Sequence, residues 1–391
     1  MKTLIELYDE RPVENVISTE MFRPDTTVFI CSEEVARDKR LHDRLREYFE
    51  ARGVDTKLVF VETSVVDAES VSRRLREVIR TYPDPALDIA GGTDAALFAG
   101  GLVSADTEIP VFTYSRRQNR YYNIRNASFV HKMLCPLEMK VKDCILMAGG
   151  SVRTGRVDNS ILDKYEQMFV PFFDVFMKYR RDWNRLISYI QKISQGDRNT
   201  KVSLNAEGEY QIKGERGQKL IANTEALKDI EKIGMISKLK FGGEKLSFRF
   251  KDEQCRAWLR DVGSVLELYV YQCCRETGAF GDVHTSVIVD WQGDGQPENV
   301  TNEIDVMATR GIRPTFISCK VCEVKTEALN ELAILRDRFG NGIARAAIVT
   351  AERGRGIMRH RAQELGIDVI DLDDLKAGKP LAQLADLSNL I

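Results

Sequence analysis

The sequence predicts two α/β domains joined by a mainly helical segment. Short apolar strands alternate with amphipathic helices over residues 1–150 and again over 253–391, a pattern typical of sheets built with helical crossovers. Between them, residues 151–252 lose this alternation and become helical, with a hairpin at the end. The 391 residues are enough for two or three domains with separate cores.

In the N-terminal domain, the first predicted strand is TTVFICS (26–32), and a helical pattern follows it as far as Gly53. Three further strands and two helices then alternate: TKLVFVET, DAESVSRRLREVIRTY, ALDIAGG, TDAALFAGGLV and IPVFTYS. Elements of this length imply right-handed crossovers and a mostly parallel, Rossmann-like sheet. No G-x-G-x-x-G follows the first strand, which argues against NAD binding.

The stretch DIAGGTDAALFAGG is the best candidate for a ligand-binding turn in this domain. Gly91 and Gly92 permit close backbone approach, and Thr93 or Asp94 can cap the next helix, whose free N–H groups attract anions. Ser32, at the exit of the first predicted strand, is expected at the same carboxyl-end crevice. Such turns also carry glycines for structural reasons, so both interpretations stay open.

The segment YSRRQNRYYNIR (114–125) mixes four arginines with three tyrosines, and it is the clearest basic and aromatic cluster of a chain whose net charge is only −2. It is either a local polyanion site or a solvated loop. The chain has no run of about 18 apolar residues, and the N-terminus is acidic where a signal peptide is apolar. We therefore expect a cytoplasmic protein that has no membrane partner.

In the connecting segment, the helical pattern runs from 155 to about 195 and is predicted to be interrupted at Pro171. A polar stretch, 196–220, follows it. Residues 223–252 then predict a helix, a turn and a hairpin, which resembles a winged-helix module. This module either reads DNA or joins the two domains.

The C-terminal domain begins with the helical pattern QCRAWLRDVGSVLELYVYQCC. Three strands, TSVIVDW, NEIDVMAT and TFISCKV, come next. The domain continues with helix EALNELAILRDRFG, strand RAAIVTA, helix GIMRHRAQELG and strand IDVIDL. A helix, three strands, a helix and a strand is the core order of one nuclease superfamily.

Side-chain alternation places candidate site residues on the second and third strands. Three apolar side chains of NEIDVMAT are predicted to face the core: Ile304, Val306 and Ala308. The opposite face is predicted to be accessible: Glu303, Asp305 and Met307. On TFISCKV, Ser318 and Lys320 share one face and are expected to approach Asp305 across the hairpin.

These residues suit phosphodiester hydrolysis. The reaction needs a divalent cation, Mg²⁺ or Mn²⁺, held by one or two carboxylates, and a lysine can orient the attacking water. Glu267, within SVLELYVYQ, has apolar neighbours that predict burial, so it is expected to be partnered by a cation, a lysine or a metal. The alternative for Asp305 and Lys320 is a surface ion pair.

Taken together, NEIDVM…ISCK, LELYVY and ELAILRDRFG resemble the PD-(D/E)xK nuclease domain of the CARF-family CRISPR ancillary nucleases. LIELYDERPVENV, FICSEE and DIAGGTDAALFAGG resemble their CARF domain, a Rossmann-like sensor. The likeness spans nearly the whole chain in the domain order of the family: CARF (1–150), connector (151–252) and nuclease (253–391).

The resemblance implies a homodimeric endonuclease that cyclic tetra-adenylate activates during type III CRISPR defence, and that cleaves single-stranded DNA, RNA or nicked duplex DNA. It also implies catalytic roles for Glu267, Asp305, Ser318 and Lys320. Asp305, Glu267 and the backbone carbonyl of Cys319 would hold the metal. The ligand pocket would include the following residues: Ser32, Gly91, Gly92, Thr93 and Asp94.

Two departures from the family pattern matter. Many relatives have a glutamate where this chain has Ser318, so Glu303 or Glu323 would have to compensate in part. Many CARF domains have a lysine where this chain has Asp94. The alternative function is therefore a ligand-sensing transcription regulator, with a winged helix and an inactive nuclease-like domain.

Three other motifs carry weaker signals. Cys319 and Cys322 form a lone C-x-x-C, and strand alternation separates their sulfurs, which argues against zinc. RGIMRH (355–360) fits the R-x4-H signature of a helical ribonuclease but lies between two strands, so it predicts a surface helix. His284 precedes a strand and is either structural or close to the metal site.

Overall fold

The computed structural model describes residues 1–153, 159–194, 203–214, 217–296 and 298–388. Part of the polar stretch 196–220 lies outside these ranges. Within them, no helix is long and apolar enough to span a membrane.

The N-terminal part contains a six-stranded sheet. Its strands are β1 (Thr3–Leu7), β2 (Thr26–Cys31), β3 (Lys57–Glu62), β4 (Pro85–Asp88), β5 (Val111–Ser115) and β6 (Arg120–Arg125). Its helices are α1 (Ile17–Phe22), α2 (Glu33–Arg37), α3 (Lys39–Ala51), α4 (Ala68–Thr81), α5 (Asp94–Thr107) and α6 (Val141–Met147). The strand order is β3-β2-β1-β4-β5-β6. Only β6 runs antiparallel to its neighbour.

The first strand of this sheet is β1, not the predicted strand at 26–32, which is β2. β1 is buried along its whole length and lies between β2 and β4, so the sheet reverses its strand order beside β1. Such a switch point opens a crevice at the carboxyl ends of the strands. The cluster at 114–125 spans the end of β5, a turn and β6, so most of it is strand rather than loop, and polyanion binding by it stays a prediction.

The connecting part begins with β7 (Ser151–Val152). It continues with α7 (Asn159–Asp163), α8 (Glu166–Tyr179), α9 (Trp183–Ile193), β8 (Asn205–Glu209), β9 (Gln211–Lys213), β10 (Lys219–Ile221), α10 (Thr224–Lys232), β11 (Ile236–Gly242) and β12 (Lys245–Phe250). β11, β12 and β8 form a small sheet, and β9 pairs with β10. The predicted interruption at Pro171 was wrong, because α8 continues through it with buried phenylalanines on both sides. That packing outweighs the loss of one helical hydrogen bond.

The C-terminal part follows the predicted order from the first of its three strands to the strand IDVIDL. The single helix predicted over 254–274 was wrong: two helices are separated at 259–263, where Asp261 accepts hydrogen bonds from the N–H groups of Gly263 and Ser264. This part contains α11 (Glu253–Trp258), α12 (Ser264–Glu276), β13 (Asp282–Asp290), β14 (Thr301–Arg310), β15 (Arg313–Lys320), α13 (Thr326–Phe339), β16 (Arg345–Thr350), α14 (Gly356–Glu364), β17 (Asp368–Ile370), α15 (Leu372–Lys376) and α16 (Pro380–Ser388). The sheet order is β17-β16-β15-β14-β13-β7. β15, β16 and β17 are parallel, and the remaining neighbours are antiparallel.

Two hydrophobic cores cover the two faces of this second sheet. One contains Val306 and Ile317 together with buried side chains of α8 and α12. The other contains Ile304 and Phe316 together with α6, α13 and the N-terminal sheet. The second core is therefore shared between the N-terminal and C-terminal parts of the chain.

The faces of β13 and β14 exchange at one level of the sheet. The paired register holds on both sides of Ser286 and Asp305 but omits these two residues, and Ser286 has a φ of 51°. On one side of this residue pair, Val287 and Ile304 belong to the core shared with the N-terminal sheet. On the other side, Val283 and Val306 belong to the core that contains α8 and α12. A local irregularity of this kind re-aims a side chain.

The predicted alternation was therefore wrong in two respects. Ile304 does not share a core with Val306 and Ala308, and Met307 is fully buried rather than accessible. Period-two alternation assumes regular strand dihedrals, and the positive φ of Ser286 breaks that assumption.

Candidate functional site

Asp305 is the centre of the candidate site. Its carboxylate oxygen Oδ2 accepts hydrogen bonds from Ser318 Oγ at 3.0 Å, from the Cys319 N–H at 2.6 Å and from Lys320 Nζ at 3.1 Å. The aspartate side chain is 17% exposed and the lysine side chain is 34% exposed. Three donors hold one oxygen of a carboxylate that remains open to solvent, which leaves Oδ1 as the oxygen to face a cation.

The strands explain why Asp305 reaches the backbone of β15. The paired register of β14 and β15 ends at Val306 opposite Ile317. Beyond this pair, the N–H of Cys319 donates its hydrogen bond to the Asp305 carboxylate instead of to a backbone carbonyl of β14. A strand residue directs its N–H and C=O to the same side, and the next residue directs them to the other. Because Lys320 O accepts from Ala351 N on the β16 side, the Cys319 carbonyl faces the β14 side, beside Asp305.

Glu267 brings a second carboxylate from α12. Burial, and to a lesser extent the charges of Asp305, Asp261 and Glu303, raise its pKa to about 8, and Lys320 offsets only part of this rise. A Cβ on Gly263 would lie 2.9 Å from Glu267 Oε1, so this glycine leaves the room that the carboxyl group occupies. A buried carboxyl group whose pKa is raised by burial and by neighbouring acids is typical of functional sites.

Lys320 is charged in this environment. Burial acts to lower its pKa, but the charge and hydrogen bond of Asp305 outweigh burial, and the pKa is raised above its ordinary value. The lysine therefore acts as a fixed cation beside Asp305. It is suited to orient water or a phosphate oxygen, and it is unsuited to accept a proton near neutral pH.

A cavity of about 50 Å³ adjoins these residues and is lined by Glu303, Asp305, Ser318, Lys320 and Glu331, among others. This volume holds one or two water molecules, so a nucleic acid would have to approach from the surface. No group of three or more His, Cys, Asp or Glu side chains in the described part of the chain is arranged as a complete metal site. Two carboxylates, one carbonyl and water nevertheless match the oxygen ligands that Mg²⁺ and Mn²⁺ prefer.

Other residues weighed from the sequence have separate partners. His284 Nε2 lies 3.0 Å from Asp282 Oδ1, and Glu323 Oε1 lies 3.1 Å from Arg355 Nη1. Cys319 is buried and Cys322 is exposed, so their sulfurs do not share one environment. His360 of the R-x4-H motif pairs with Glu364 on α14, as expected of a surface helix.

In the glycine turn of the N-terminal part, a backbone N–H is bonded to a carboxylate of the protein itself, that of Asp9. Gly92 N donates to Asp9 Oδ2 at 3.1 Å, and Arg11 forms two further hydrogen bonds of 3.0 Å with the same carboxylate. Gly91 must be a glycine here, because a Cβ would lie 2.8 Å from the Asp9 Cβ. Sequence reasoning missed Asp9 and Arg11 because it missed β1, which delivers them to the crevice.

Two of the remaining residues predicted for this crevice cap helices, and the third is the first residue of a helix. The Ser32 hydroxyl accepts from Val35 N and begins α2. The Thr93 hydroxyl accepts from Ala96 N at 3.2 Å and donates to the Val65 carbonyl. Asp94 is the exposed first residue of α5. Ser32, Thr93 and Asp94 thus lie at the carboxyl ends of strands or just beyond them, and their part in ligand binding stays a prediction.

Buried acids lie beneath the crevice. Burial raises the pKa of Asp88 and of Glu14 to about 7, and burial also raises the pKa of Glu6. Arg11 and Arg116 pair with Glu14. Gly342, from the loop that follows α13, lies against these two arginines, so the crevice borders the nuclease-like part directly.

Comparison with known proteins identifies the same architecture. Residues 252–384 match the family model described as Card1-like, endonuclease domain. The structure of protein VC1899 from Vibrio cholerae is similar, with 17% identity, a TM-score of 0.77, and coverage of 100% of this chain and 99% of that chain. Can2 from Sulfobacillus thermosulfidooxidans, solved with cyclic tetra-adenylate, has 15% identity, a TM-score of 0.70, and coverage of 98% and 97%. No curated protein sequence matches.

At these identities the two structures establish the fold, and the domain match indicates a nuclease at the C-terminus. The predicted resemblance to the CARF-family CRISPR nucleases and the predicted α/β fold class are confirmed.

Proposed function

We propose that the protein is a metal-dependent nuclease of type III CRISPR defence, switched on by cyclic tetra-adenylate and acting in the cytoplasm on DNA, RNA or both. The observation that carries this proposal is the Asp305 carboxylate, held by Ser318, Cys319 and Lys320, within residues that match an endonuclease domain. The likeness in fold to Can2, which was solved with cyclic tetra-adenylate, supports the choice of activator.

In this proposal Asp305, Glu267 and the carbonyl of Cys319 hold a Mg²⁺ or Mn²⁺ ion. When bound, the ion lowers the pKa of water and neutralises charge on the phosphate. Lys320 orients the attacking water and offsets charge that develops on the phosphate oxygens. Ser318 donates to Oδ2 of Asp305 and so fixes the carboxylate, whose other oxygen would be the one to bind the cation.

A homodimer is part of the proposal. Phe98 and Leu102 on α5 are 62% and 48% exposed, and Val66, just before α4, is 79% exposed. Exposed apolar side chains on neighbouring elements are typical of a protein interface. Because α5 begins at the glycine turn, a two-fold axis along it would bring two crevices to one cyclic ligand with repeated units.

The regulator alternative is not favoured. The helix α10 with the β11–β12 hairpin keeps the outline of a winged helix. However, Asp305, Lys320 and Glu267 are all present, and the domain they belong to matches an endonuclease.

The decisive experiment incubates the purified protein with Mg²⁺ or Mn²⁺ and with single-stranded DNA, RNA and supercoiled plasmid, with and without cyclic tetra-adenylate. We expect cleavage only with the activator and the metal, and we expect Asp305→Asn and Lys320→Ala to reduce the rate by at least about a hundredfold. Asp43→Asn and Lys245→Ala, which alter exposed ion pairs elsewhere, are the matched controls. Cleavage that ignores the activator, or that survives both site substitutions, would refute the proposal.

A further inference from the structure

A groove of about 610 Å³ lies in the connecting part of the chain. Its walls are α8, the end of α10 and Lys251, which follows β12, and it is here called the α8–α10 groove. Sites for small molecules usually have volumes of about 300–1,000 Å³. The groove consists of other residues than the glycine turn and the surroundings of Asp305, and the proposed chemistry gives it no role.

Apolar side chains form the floor of the α8–α10 groove. Met168, Pro171 and Val175 lie three and four residues apart along α8, so they share one face of the helix. Ile233 lines the same groove from the end of α10. From Met168 to Val175 the helix rises by about 10 Å. The floor is therefore long enough for one flat ring system with a short extension, and too short for an oligomer.

One end of the groove is cationic. The N–H of Lys251 donates to the Met235 carbonyl at 3.0 Å, just beyond the end of α10, and Lys251 Nζ lies 3.5 Å from the sulfur of Met168. Lys232 belongs to the last turn of α10. Within the described ranges, neither lysine has a carboxylate partner. Two unpaired ammonium groups beside an apolar floor are suited to bind a phosphate.

The other end of the groove carries hydrogen-bond acceptors. Asp229, one turn earlier on α10, accepts from Lys178 Nζ at 2.6 Å and from the Tyr179 hydroxyl at 2.8 Å, which joins α10 to the end of α8. Asp174 lines the groove one turn before Lys178 and is exposed. It has no hydrogen-bond or ion-pair partner in the described part of the chain. Its carboxylate is therefore free to accept N–H groups of a ligand.

We propose that the α8–α10 groove binds an adenine mononucleotide. The phosphate lies between Lys232 and Lys251, the purine covers the apolar floor, and the amino group of the base donates to Asp174. The groove needs an anion at one end and a hydrogen-bond donor at the other, about 10 Å away. An adenine mononucleotide supplies both, whereas a fatty acid has no donor and inorganic phosphate has no apolar body. This site goes beyond the proposed function and is distinct from the crevice proposed for cyclic tetra-adenylate.

Isothermal titration calorimetry of the unmodified protein with AMP, inosine monophosphate (IMP), adenosine and inorganic phosphate tests this assignment. The titrations contain no divalent metal, and they contain saturating cyclic tetra-adenylate so that the crevice is filled. We expect AMP to bind with a Kd below about 1 mM. The other three compounds should bind at least about tenfold more weakly, because each lacks the amino group, the phosphate or the base.

Substitutions then locate the binding. Lys232→Ala with Lys251→Ala should weaken AMP binding at least about tenfold and leave adenosine binding unchanged. Asp174→Asn should abolish the preference for AMP over IMP, because an amide can also donate to the carbonyl of the hypoxanthine ring. The control pair, Lys228→Ala with Lys245→Ala, removes two exposed, ion-paired lysines of the same part of the chain and should leave all four affinities unchanged. All five side chains are exposed, so thermal denaturation of each variant should match that of the unmodified protein.

The proposal would be overturned if AMP did not bind below about 1 mM, if cyclic tetra-adenylate displaced AMP, or if the double lysine variant bound AMP with unchanged affinity. Equal affinities of the unmodified protein for AMP and IMP would overturn the role of Asp174. Inorganic phosphate that binds as tightly as AMP would overturn the placement of the base on the apolar floor. Failure of the proposed nuclease function would be seen separately, as absence of activator-dependent cleavage.

Discussion

Glu267 gives the candidate site a measurable pH signature. Its folded-state pKa is about 8, whereas in the unfolded chain it is that of an ordinary glutamate, near 4.3. As pH rises between these values, the unfolded state releases the proton and the folded state keeps it, so unfolding becomes easier. This destabilisation of the folded state is absent below about pH 4 and is complete above about pH 8.

We therefore expect Glu267→Gln to be more stable than the unmodified protein at pH 8, with a smaller difference near pH 5 and none near pH 4. Thermal denaturation from pH 5 to 9 measures this difference, and the other buried acids cancel because both proteins contain them. Mg²⁺ or Mn²⁺ should stabilise the unmodified protein more than the variant at pH 8, because the variant keeps Asp305 but lacks the second carboxylate ligand. A stability difference that does not vary with pH would contradict the assigned pKa.

At the scale of single residues, the sequence predicted the candidate residues of the C-terminal site better than those of the N-terminal crevice. Spacing and apolar neighbours singled out Asp305, Lys320 and Glu267, which the structure brings together, although their roles stay predictions. Asp9 was missed because β1 follows the N-terminus without a preceding turn signal. The short polar run YDER (8–11) has no sequence feature that indicates a position in a crevice.

At the scale of elements, the exchange of faces at Ser286 and Asp305 decides where the carboxylate points. The structure needs a positive φ at Ser286, which a β-branched side chain strongly disfavours. Ser286→Val should therefore destabilise the protein by about 1–2 kcal/mol and reduce cleavage, because it favours a regular strand that turns Asp305 away. Ser286→Gly should keep both stability and activity.

Chemical denaturation and cleavage rates of the two Ser286 variants test this expectation. A valine variant with full activity would show that the irregularity does not aim Asp305. Sequence patterns predicted the order and type of the elements from β13 to β17, because their apolar periods are strong. They could not predict this irregularity, because serine at 286 carries none of the signal that a glycine would.

At the scale of the whole molecule, the exposed face of α5 concerns assembly. We expect Phe98→Glu, with a second glutamate at Leu102, to convert the proposed dimer into a monomer, because charge at an apolar interface is costly to bury. Light scattering coupled to gel filtration measures the mass. The matched control is Ile221→Glu, an exposed apolar position on β10. A mass that both sets of substitutions leave dimeric would place the interface elsewhere.

The core shared by the two large sheets also has a consequence for how the chain is made. Val13 and Ile145 pack in one cluster with Val287 and Phe316, so the C-terminal sheet completes one of its faces only against residues synthesised much earlier. Domains that emerge first from the ribosome fold first. The sensor-like half and α6 would then form a template on which β13, β14 and β15 assemble. The carboxylates and the lysine would come together last, after the part of the protein that is proposed to control them.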